Sequence, residues 1–300
     1  RGTGGAARGG GGMADGRERE GEAAPVPTAE AAPISPAPPP PARRRAHPAG
    51  PVILIGALLA LGLWLGAREG GEGAAWGWYV VSPWTEQGRG NLAFLASGLG
   101  MTVQLSLTAM AFSVAAGLAV TLPAITEDPW GRGFNRLYVE LVRSVPILVL
   151  ILWVYYGLPV VAGIRLDVFW AGVIALALSD SAFEAEIFRA GIQGVPKGQT
   201  EAARTLGLSW GRTMRLVVLP QALRRILPAL ANQFVYMLKM SALVSVIGAQ
   251  ELTRRANELV VTEYRPLEVY TVLVAEYLML ILLVSQAARW LERRMARSDR

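Results

Sequence analysis

Long apolar segments recur along this chain of 300 residues, and they constrain its fold more than any other feature. About six are candidate membrane spans, and they lie at residues 51–67, 94–123, 138–161, 168–190, 226–248 and 269–291. A helix that crosses a bilayer needs roughly 17–25 mostly apolar residues. The core of a soluble domain needs no such series. We therefore predict an all-α, polytopic membrane protein in which the first span is the shortest.

The first 50 residues have a different composition. They are rich in Gly, Ala, Arg and Pro, and they include the uninterrupted run Pro38–Pro41. Such a segment buries too little apolar surface to offset the entropy lost on ordering. We predict a disordered tail at 1–50, followed by an uncleaved span at 51–67. A cleavable signal peptide is the alternative for 51–67, because the basic run Arg43–Arg45 precedes it.

The basic residues predict an orientation. The net charge is +6, and most of the 29 Lys and Arg residues fall in the segments that share a side with both termini when six spans are threaded. Because Lys and Arg favour cytoplasmic loops, we predict cytoplasmic N- and C-termini. The basic surplus is thus an orientation signal, and no nucleic-acid partner is predicted.

The segment 68–91, between the first two spans, is then extracytoplasmic and rich in aromatic residues. It contains Trp76, Trp78, Tyr79 and Trp84. Aromatic residues of this kind anchor membrane proteins at the interface, and that is our interpretation. Stacking on a ligand is the alternative.

Residue counts exclude several chemistries. The chain has no cysteine, and its single histidine, His47, lies in the tail, so the common metal sites and catalytic triads have no ligands or base. We predict no metal site and no catalytic residue. An intramembrane enzyme using Lys239 with Ser241 or Ser245 is one rival hypothesis, and a stand-alone secondary transporter is another.

One polar segment, residues 196–228, stands between two spans; we call it the inter-span loop. Thr200 is a plausible N-cap for a short helix that runs from Glu201 to about Leu206, and Gly207 is suited to end it. Ser209 can cap a second helix, and Pro220 is suited to open the next segment.

The same loop has a surface that another protein could approach. Ala202 and Ala203 leave part of the short helix without bulk. An amphipathic loop lying on the lipid surface is the alternative, because spacing alone does not separate the two.

Four of the ionisable residues within the predicted spans are candidates for a translocation pathway or for intramembrane pairs. They are Asp180, Glu184, Lys239 and Glu276. Asp180 and Glu184 are four residues apart and share a helix face. Lys239 and Glu276 have similar depths below the outer surface, which permits an ion pair between the last two spans.

A second local pair is predicted near the cytoplasmic end of the fourth span. Glu186 and Arg189 are three residues apart, which is a spacing that allows side chains on one helix to pair.

The inter-span loop also carries a recognisable pattern. Glu201, Ala202 and Ala203 are followed by Gly207 and then by Leu219 and Pro220 at the spacing that resembles the EAA signature of ATP-binding-cassette (ABC) importer permeases. The flanking sequences, such as AEIFRAGIQGVPKGQTEAARTLG at 185–207 and LPQALRRILPALANQFVYMLK at 219–239, are similar to the polar amino acid branch of that family. The resemblance covers about 92–295, and it implies a core of five membrane helices to which 51–67 adds one.

The resemblance implies a transport subunit of a bacterial plasma membrane importer, and not an enzyme. It implies that the Glu201 helix couples to a separate ATPase subunit, which binds ATP and Mg²⁺, while this chain binds no cofactor. The only two lysines, Lys197 and Lys239, lie in no phosphate-binding loop. Further implied partners are an extracytoplasmic solute-binding protein, a second permease copy or sister permease, and membrane lipid. Met240 and Ala242 depart from the family pattern, which has an acidic residue and a serine there.

Overall fold

The computed structural model describes Gly56, Ala60 and residues 77–125 and 129–296. The predicted tail at 1–50 and almost all of the predicted span at 51–67 lie outside the described residues. Within the described ranges, every regular element is helical. In chain order, the α-helices are α1 Glu86–Ala96, α2 Gly98–Ile125, α3 Pro129–Arg143, α4 Ile147–Leu152, α5 Leu158–Ala162, α6 Val168–Gln193, α7 Lys197–Thr205, α8 Trp210–Thr213, α9 Leu219–Met240, α10 Leu252–Glu263 and α11 Pro266–Ala296.

Four helical stretches are long and apolar enough to cross a membrane. They are Glu86–Ile125, Val168–Gln193, Trp210–Ile247 and Pro266–Trp290. The pair Pro129–Arg143 and Ile147–Ala162, bent by 90°, counts as a fifth span if it is taken as one. The all-α, multi-pass class is confirmed, and the described part of the chain contains four or five of the predicted spans.

The predicted span 138–161 is not one continuous helix. α3 ends at Arg143, and the chain turns before α4 at Pro146, whose φ of −58° and ψ of 132° lie outside the helical region. Proline removes a backbone donor and disfavours the helical conformation in the residue before it, which explains the break. The prediction for 138–161 was therefore correct about its hydrophobicity and wrong about its shape.

The core of the bundle is the packing of α2 on α6. Small and hydroxyl-bearing residues are buried along α2: Thr102, Ser106, Ala109, Ser113, Gly117 and Thr121. Of these, Ser113 and Thr121 donate hydrogen bonds to α6, to the Asp180 carboxylate and the Ala185 carbonyl. Small residues let membrane helices approach closely. At Gly117, an added Cβ would lie 2.5 Å from the Cβ of Glu184 on α6 and 2.9 Å from the Ser181 carbonyl oxygen. Gly117 therefore sets how closely the two backbones approach.

Two π-helical turns adjoin Leu-Pro dipeptides. One covers Trp153–Gly157 and precedes Pro159, and the other covers Met214–Val218 and precedes Pro220. Because proline has no N–H to give to the carbonyl one turn earlier, a local change of hydrogen-bond register accommodates it without ending the helix. The second turn lies inside the unbroken helical stretch Trp210–Ile247.

The segment predicted to be extracytoplasmic, 68–91, is described from residue 77 onward, and that part is largely helical. A 3₁₀ turn, Trp78–Val81, precedes α1, whose N-cap Thr85 accepts a hydrogen bond from the Gly88 backbone N–H at 3.1 Å. Trp78 is buried, and Trp84 is exposed. Trp78 thus packs in the core, while Trp84 fits the anchoring interpretation; Trp76 lies outside the described residues.

Candidate functional site: the inter-span loop and the ionisable residues of the spans

The helix of the inter-span loop begins earlier than predicted. α7 starts at Lys197, with Pro196 as its N-cap, so Thr200 lies inside the helix and caps nothing. Pro196 has a φ of −57° and a ψ of 131°, so it is not itself helical, and the helical conformation begins at the next residue. The proline, and not the threonine, therefore decides where this helix begins.

The C-terminal end of α7 confirms the predicted role of Gly207. Gly207 has a φ of +75°, the left-handed conformation that favours glycine. Its N–H donates to the Arg204 carbonyl at 2.9 Å, and the Leu208 N–H donates to the Ala203 carbonyl at 3.1 Å. This pair of bonds is a Schellman motif, which satisfies two carbonyls at the helix end.

After Gly207, the chain enters the next span almost at once. Ser209 occupies the N-cap position of α8, as predicted, although its side chain makes no capping hydrogen bond. Pro220 is the second residue of α9 and continues a helix that already runs from Trp210, so it does not open a separate one. The π-turn before Pro220 is the feature that sequence spacing did not indicate.

The exposed side of the loop contains both charged and apolar groups. Glu201 and Ala202 are exposed, whereas Ala203 is buried, so only one of the two alanines is available to a partner. Leu206 is 82% exposed, next to the Gly207 turn. Charged and apolar side chains are therefore both exposed on this loop.

Asp180 and Glu184 lie on the same buried face of α6, as their spacing predicts. Asp180 accepts hydrogen bonds from the Ser113 hydroxyl of α2, at 3.2 Å, and from the Gln233 amide of α9. Glu184 is fully buried, and neither of its carboxylate oxygens has a hydrogen-bond partner. Asp180 therefore ties three helices together, and both groups are enclosed by this subunit.

Glu186 does not pair with Arg189, which corrects the predicted local pair. It forms an ion pair with Arg143 of α3, with Nη1 and Oε2 separated by 2.7 Å. Arg143 also lies over the Phe183 ring, at 4.6 Å from its centroid. Arg189 donates instead to the Gln193 side chain at 3.4 Å. A partner on another helix prevails here, because α3 crosses α6 at this level.

The predicted ion pair between Lys239 and Glu276 is not formed in the described structure. Lys239 is exposed on α9, and it follows Met237 and Leu238, whose side chains enter the core. Glu276 lies half-buried on α11, and its Oε2 atom is buried without a hydrogen-bond partner. Similar depth was therefore not enough to bring the two side chains together, since Lys239 points away from its own core.

A buried carboxylate at the end of the bundle opposite the inter-span loop was missed by sequence reasoning. Glu251 is the N-cap of α10 and accepts from the backbone N–H groups of Thr253 and Arg254 at 2.9 and 2.7 Å, and from the Tyr277 hydroxyl at 2.8 Å. Burial raises the pKa of Glu251, and these hydrogen bonds oppose that rise. An acidic residue directly before a polar helical segment was the available signal.

Comparison with known proteins agrees with these features. Residues 113–297 match the family described as the binding-protein-dependent transport system inner membrane component. The arginine transport system permease protein ArtQ of Bacillus subtilis is 34% identical over 208 residues, which is 69% of this chain and 95% of that protein. The glutamine transport system permease protein GlnP of Escherichia coli K12 is 36% identical over 206 residues, or 68% of this chain and 94% of that protein.

Solved structures show the same arrangement. A chain from a crystal structure of an amino acid ABC transporter with histidines superposes with a TM-score of 0.64 at 42% identity, covering 67% of this chain and 94% of that chain. A chain of the MetNI methionine ABC transporter, in an inward-facing conformation, superposes with a TM-score of 0.59 at 21% identity, covering 68% of this chain and 96% of that chain. The second likeness concerns the fold alone.

A bundle of membrane-spanning helices, with an ordered polar loop between two of them, defines the class of multi-pass membrane transport subunits. Within that class, the chain belongs to the family of binding-protein-dependent transport system inner membrane components, the permease subunits of ABC importers. It is a transport subunit and not an enzyme, and the predicted family is confirmed.

Proposed function

We propose that this permease carries a polar amino acid into the cell. The proposal is supported by the amino acid cargoes in the names of its relatives and by the 42% identity to a chain of an amino acid ABC transporter. Met240 and Ala242 leave this chain without the acidic residue and the serine of the family pattern beside Lys239. We therefore assign the choice of amino acid to the solute-binding protein that delivers it.

The partners follow from that role. An ATPase subunit, which binds ATP and Mg²⁺, docks on the inter-span loop from the cytoplasm, and this chain binds no cofactor of its own. A solute-binding protein delivers cargo on the opposite side. Two permease subunits, either two copies of this chain or this chain and a sister permease, enclose the path in the bacterial plasma membrane. Both termini of this chain are cytoplasmic, and 51–67 is an additional N-terminal span.

The exposed end of α7 is the observation that carries the docking proposal. Glu201, Ala202 and Leu206 are exposed on a helix whose C-terminal turn is closed by two backbone hydrogen bonds. A preordered helix loses little conformational entropy when a partner binds. Leu219 and Pro220 then continue this loop directly into the membrane helix α9, so a movement of the docked partner reaches the spans.

Lys239 is our candidate for the cargo path. It is exposed on the surface of this subunit although it belongs to a membrane-spanning helix. A Lys ammonium in contact with hydrocarbon is costly, so this side chain faces a partner subunit or a water-filled path. We propose that it meets the α-carboxylate of the cargo between two permease subunits. Glu276, half-buried with an unpartnered oxygen, is the candidate for the α-amino group.

Substitutions on α7 test the docking proposal. Glu201→Arg reverses a charge on the exposed surface, and Gly207→Asp strains the left-handed turn. We expect either change to lower co-purification of the ATPase subunit and ATP-driven uptake at least tenfold, a factor that corresponds to about 1.4 kcal/mol. Uptake is measured in proteoliposomes that contain the complete transporter.

Glu86→Arg and Gly90→Asp are the matched controls. Both residues are exposed on α1, far along the chain from the loop, and an added Cβ at Gly90 meets no atom within 4 Å. These variants are expected to retain the ATPase subunit. Full uptake and normal recovery of the complex in both α7 variants would overturn the assignment of α7.

A further inference from the structure

A cavity of about 380 Å³ lies between the C-terminal ends of α2 and α6 and one side of α3. Three arginines line it, namely Arg132, Arg136 and Arg189, together with the side-chain amides of Asn135 and Gln193. α6 ends at Gln193, only a few residues before the inter-span loop. The cavity therefore lies at the same end of the bundle as that loop.

Two carboxylates also line the cavity, and each already has a basic partner. Glu186 pairs with Arg143, which lies outside the lining, at 2.7 Å. Glu140 pairs with Arg136 at 2.9 Å on the exposed side of α3. Because Arg143 provides the charge that neutralises Glu186, that carboxylate does not cancel the charge of Arg189 in the cavity.

Arg189 is the guanidinium that α6 contributes to the cavity. Within the described part of the chain, its hydrogen bond goes to the neutral Gln193 side chain, at 3.4 Å, and it takes part in no ion pair. An exposed guanidinium that faces a cavity, with a neutral neighbour, suits a phosphate group, because its planar fork can donate two hydrogen bonds to two oxygens.

The opposite flank of α3 shows where this cavity lies relative to the membrane. Trp130, Phe134, Leu137 and Leu141 repeat at helical spacing and are all exposed; Trp130 is 86% exposed. The cavity arginines project from a different side of the helix. A helix with one apolar and one basic flank lies in the membrane interface, with the apolar flank in hydrocarbon and the basic flank among headgroups.

We propose that this cavity binds the phosphate group of an anionic phospholipid of the inner leaflet. Lipid phosphates are the anions that surround an interfacial helix at this depth, and basic pockets between membrane helices on the cytoplasmic side bind anionic headgroups. The guanidinium of Arg189 holds the phosphate from α6, and the basic side of α3 forms the opposite wall. The bound lipid joins the helix that leads into the inter-span loop to the interfacial helix α3. The inference rests on the proposed orientation of the loop and is independent of the cargo.

Native mass spectrometry of the full-length chain, purified in detergent, tests the proposal. The probes are phosphatidylglycerol and phosphatidylcholine with the same acyl chains. We expect a preference for phosphatidylglycerol that falls about tenfold in Arg189→Gln, since the variant loses the charged donor that binds the phosphate. Arg189→Lys keeps the charge and should restore part of the preference.

Arg293→Gln is the control, because it removes the same charge from an exposed site on α11 outside the cavity. It should leave the preference unchanged, and thermal unfolding should show that all variants are folded.

Equal retention of the two lipids by the unsubstituted chain, or an unchanged preference in Arg189→Gln, would overturn the proposal. Displacement of phosphatidylglycerol by inorganic phosphate or ATP at millimolar concentration would instead assign the cavity to a soluble anion. Since no ATPase subunit or cargo is needed, failure here is distinct from failure of the transport proposal.

Discussion

Two spans of the same bundle, α6 and α11, differ sharply in how much of their surface this subunit covers. In the most apolar stretch of each, 61% of α6 is buried, but only 11% of α11. α6 packs against α2, α3 and α9 and carries enclosed carboxylates, whereas α11 leaves Val274, Met279 and Leu283 exposed. The exposed helix α11 is the more apolar of the two, so a high hydropathy does not mark the internal helix.

Because of this difference, substitutions in α6 should affect folding, and substitutions in α11 should affect assembly. A residue of α6 is constrained by neighbours in the same chain, so changes there should damage the subunit itself. A residue of α11 has lipid or another subunit as its neighbour, so changes there should affect contacts with partners.

Overpacking between α2 and α6 should have the largest effect. Gly117→Leu places a side chain where even a Cβ would meet Glu184 and the Ser181 carbonyl. Overpacking typically costs about 1–3 kcal/mol, and more when backbone must move. We therefore expect loss of monodisperse protein in size-exclusion chromatography after extraction from membranes. Gly100→Leu, in the same helix at a site with no atom within 4 Å of an added Cβ, is the control and should behave as the unsubstituted chain does. If the two variants behaved alike, α6 would not be the internal helix described above.

Replacing a carboxylate should lower the thermal unfolding temperature when the residue is in α6, and should not lower it when the residue is in α11. Asp180→Leu leaves the Ser113 hydroxyl and the Gln233 amide without their partner, and an unsatisfied buried group costs about 1–3 kcal/mol. Glu276→Leu replaces a group whose buried oxygen has no hydrogen-bond partner. We expect thermal unfolding of the purified chain to occur at lower temperature for Asp180→Leu, and at an equal or higher temperature for Glu276→Leu. Destabilisation by both changes would show that Glu276 has an internal partner after all.

The ion pair between α3 and α6 should have the smallest effect. The side chains of Arg143 and Glu186 are 41% and 40% exposed, and pairs of this kind contribute roughly 0–1 kcal/mol. Glu186→Arg should lower the unfolding temperature slightly, and the double exchange Arg143→Glu with Glu186→Arg should recover most of that loss. A double variant no better than the single one would mean that the pair has no energetic coupling.

Local sequence signals predicted much of the fold and of the loop. The apolar runs indicated the spans. Gly207 was identified as a helix end because glycine readily adopts the left-handed conformation that ends many helices. The 90° break near Pro146 was missed, although a proline in an apolar run was its signal. The start of α7 was misplaced by four residues because Thr200 resembled a cap, whereas Pro196 occupies the N-cap position.

The choice of side-chain partners could not be predicted in the same way. Glu186 had a plausible neighbour on its own helix, and only the crossing of α3 over α6 gives it Arg143 instead. Lys239 and Glu276 matched in depth, but rotation of α9 about its axis separates them. Both cases depend on how whole helices are placed and rotated against one another, which contacts between residues distant in sequence decide.

The stretch Trp210–Ile247 is continuous over 38 residues, although it contains two prolines and a π-turn. Its length is roughly 57 Å at 1.5 Å per residue, which is far longer than the bilayer core is thick. When a straight helix of this length tilts by 5° about its centre, its two ends move by about 2–3 Å in opposite directions. The position of the pivot along the helix therefore decides how far Lys239 moves in the membrane plane when Trp210 is displaced.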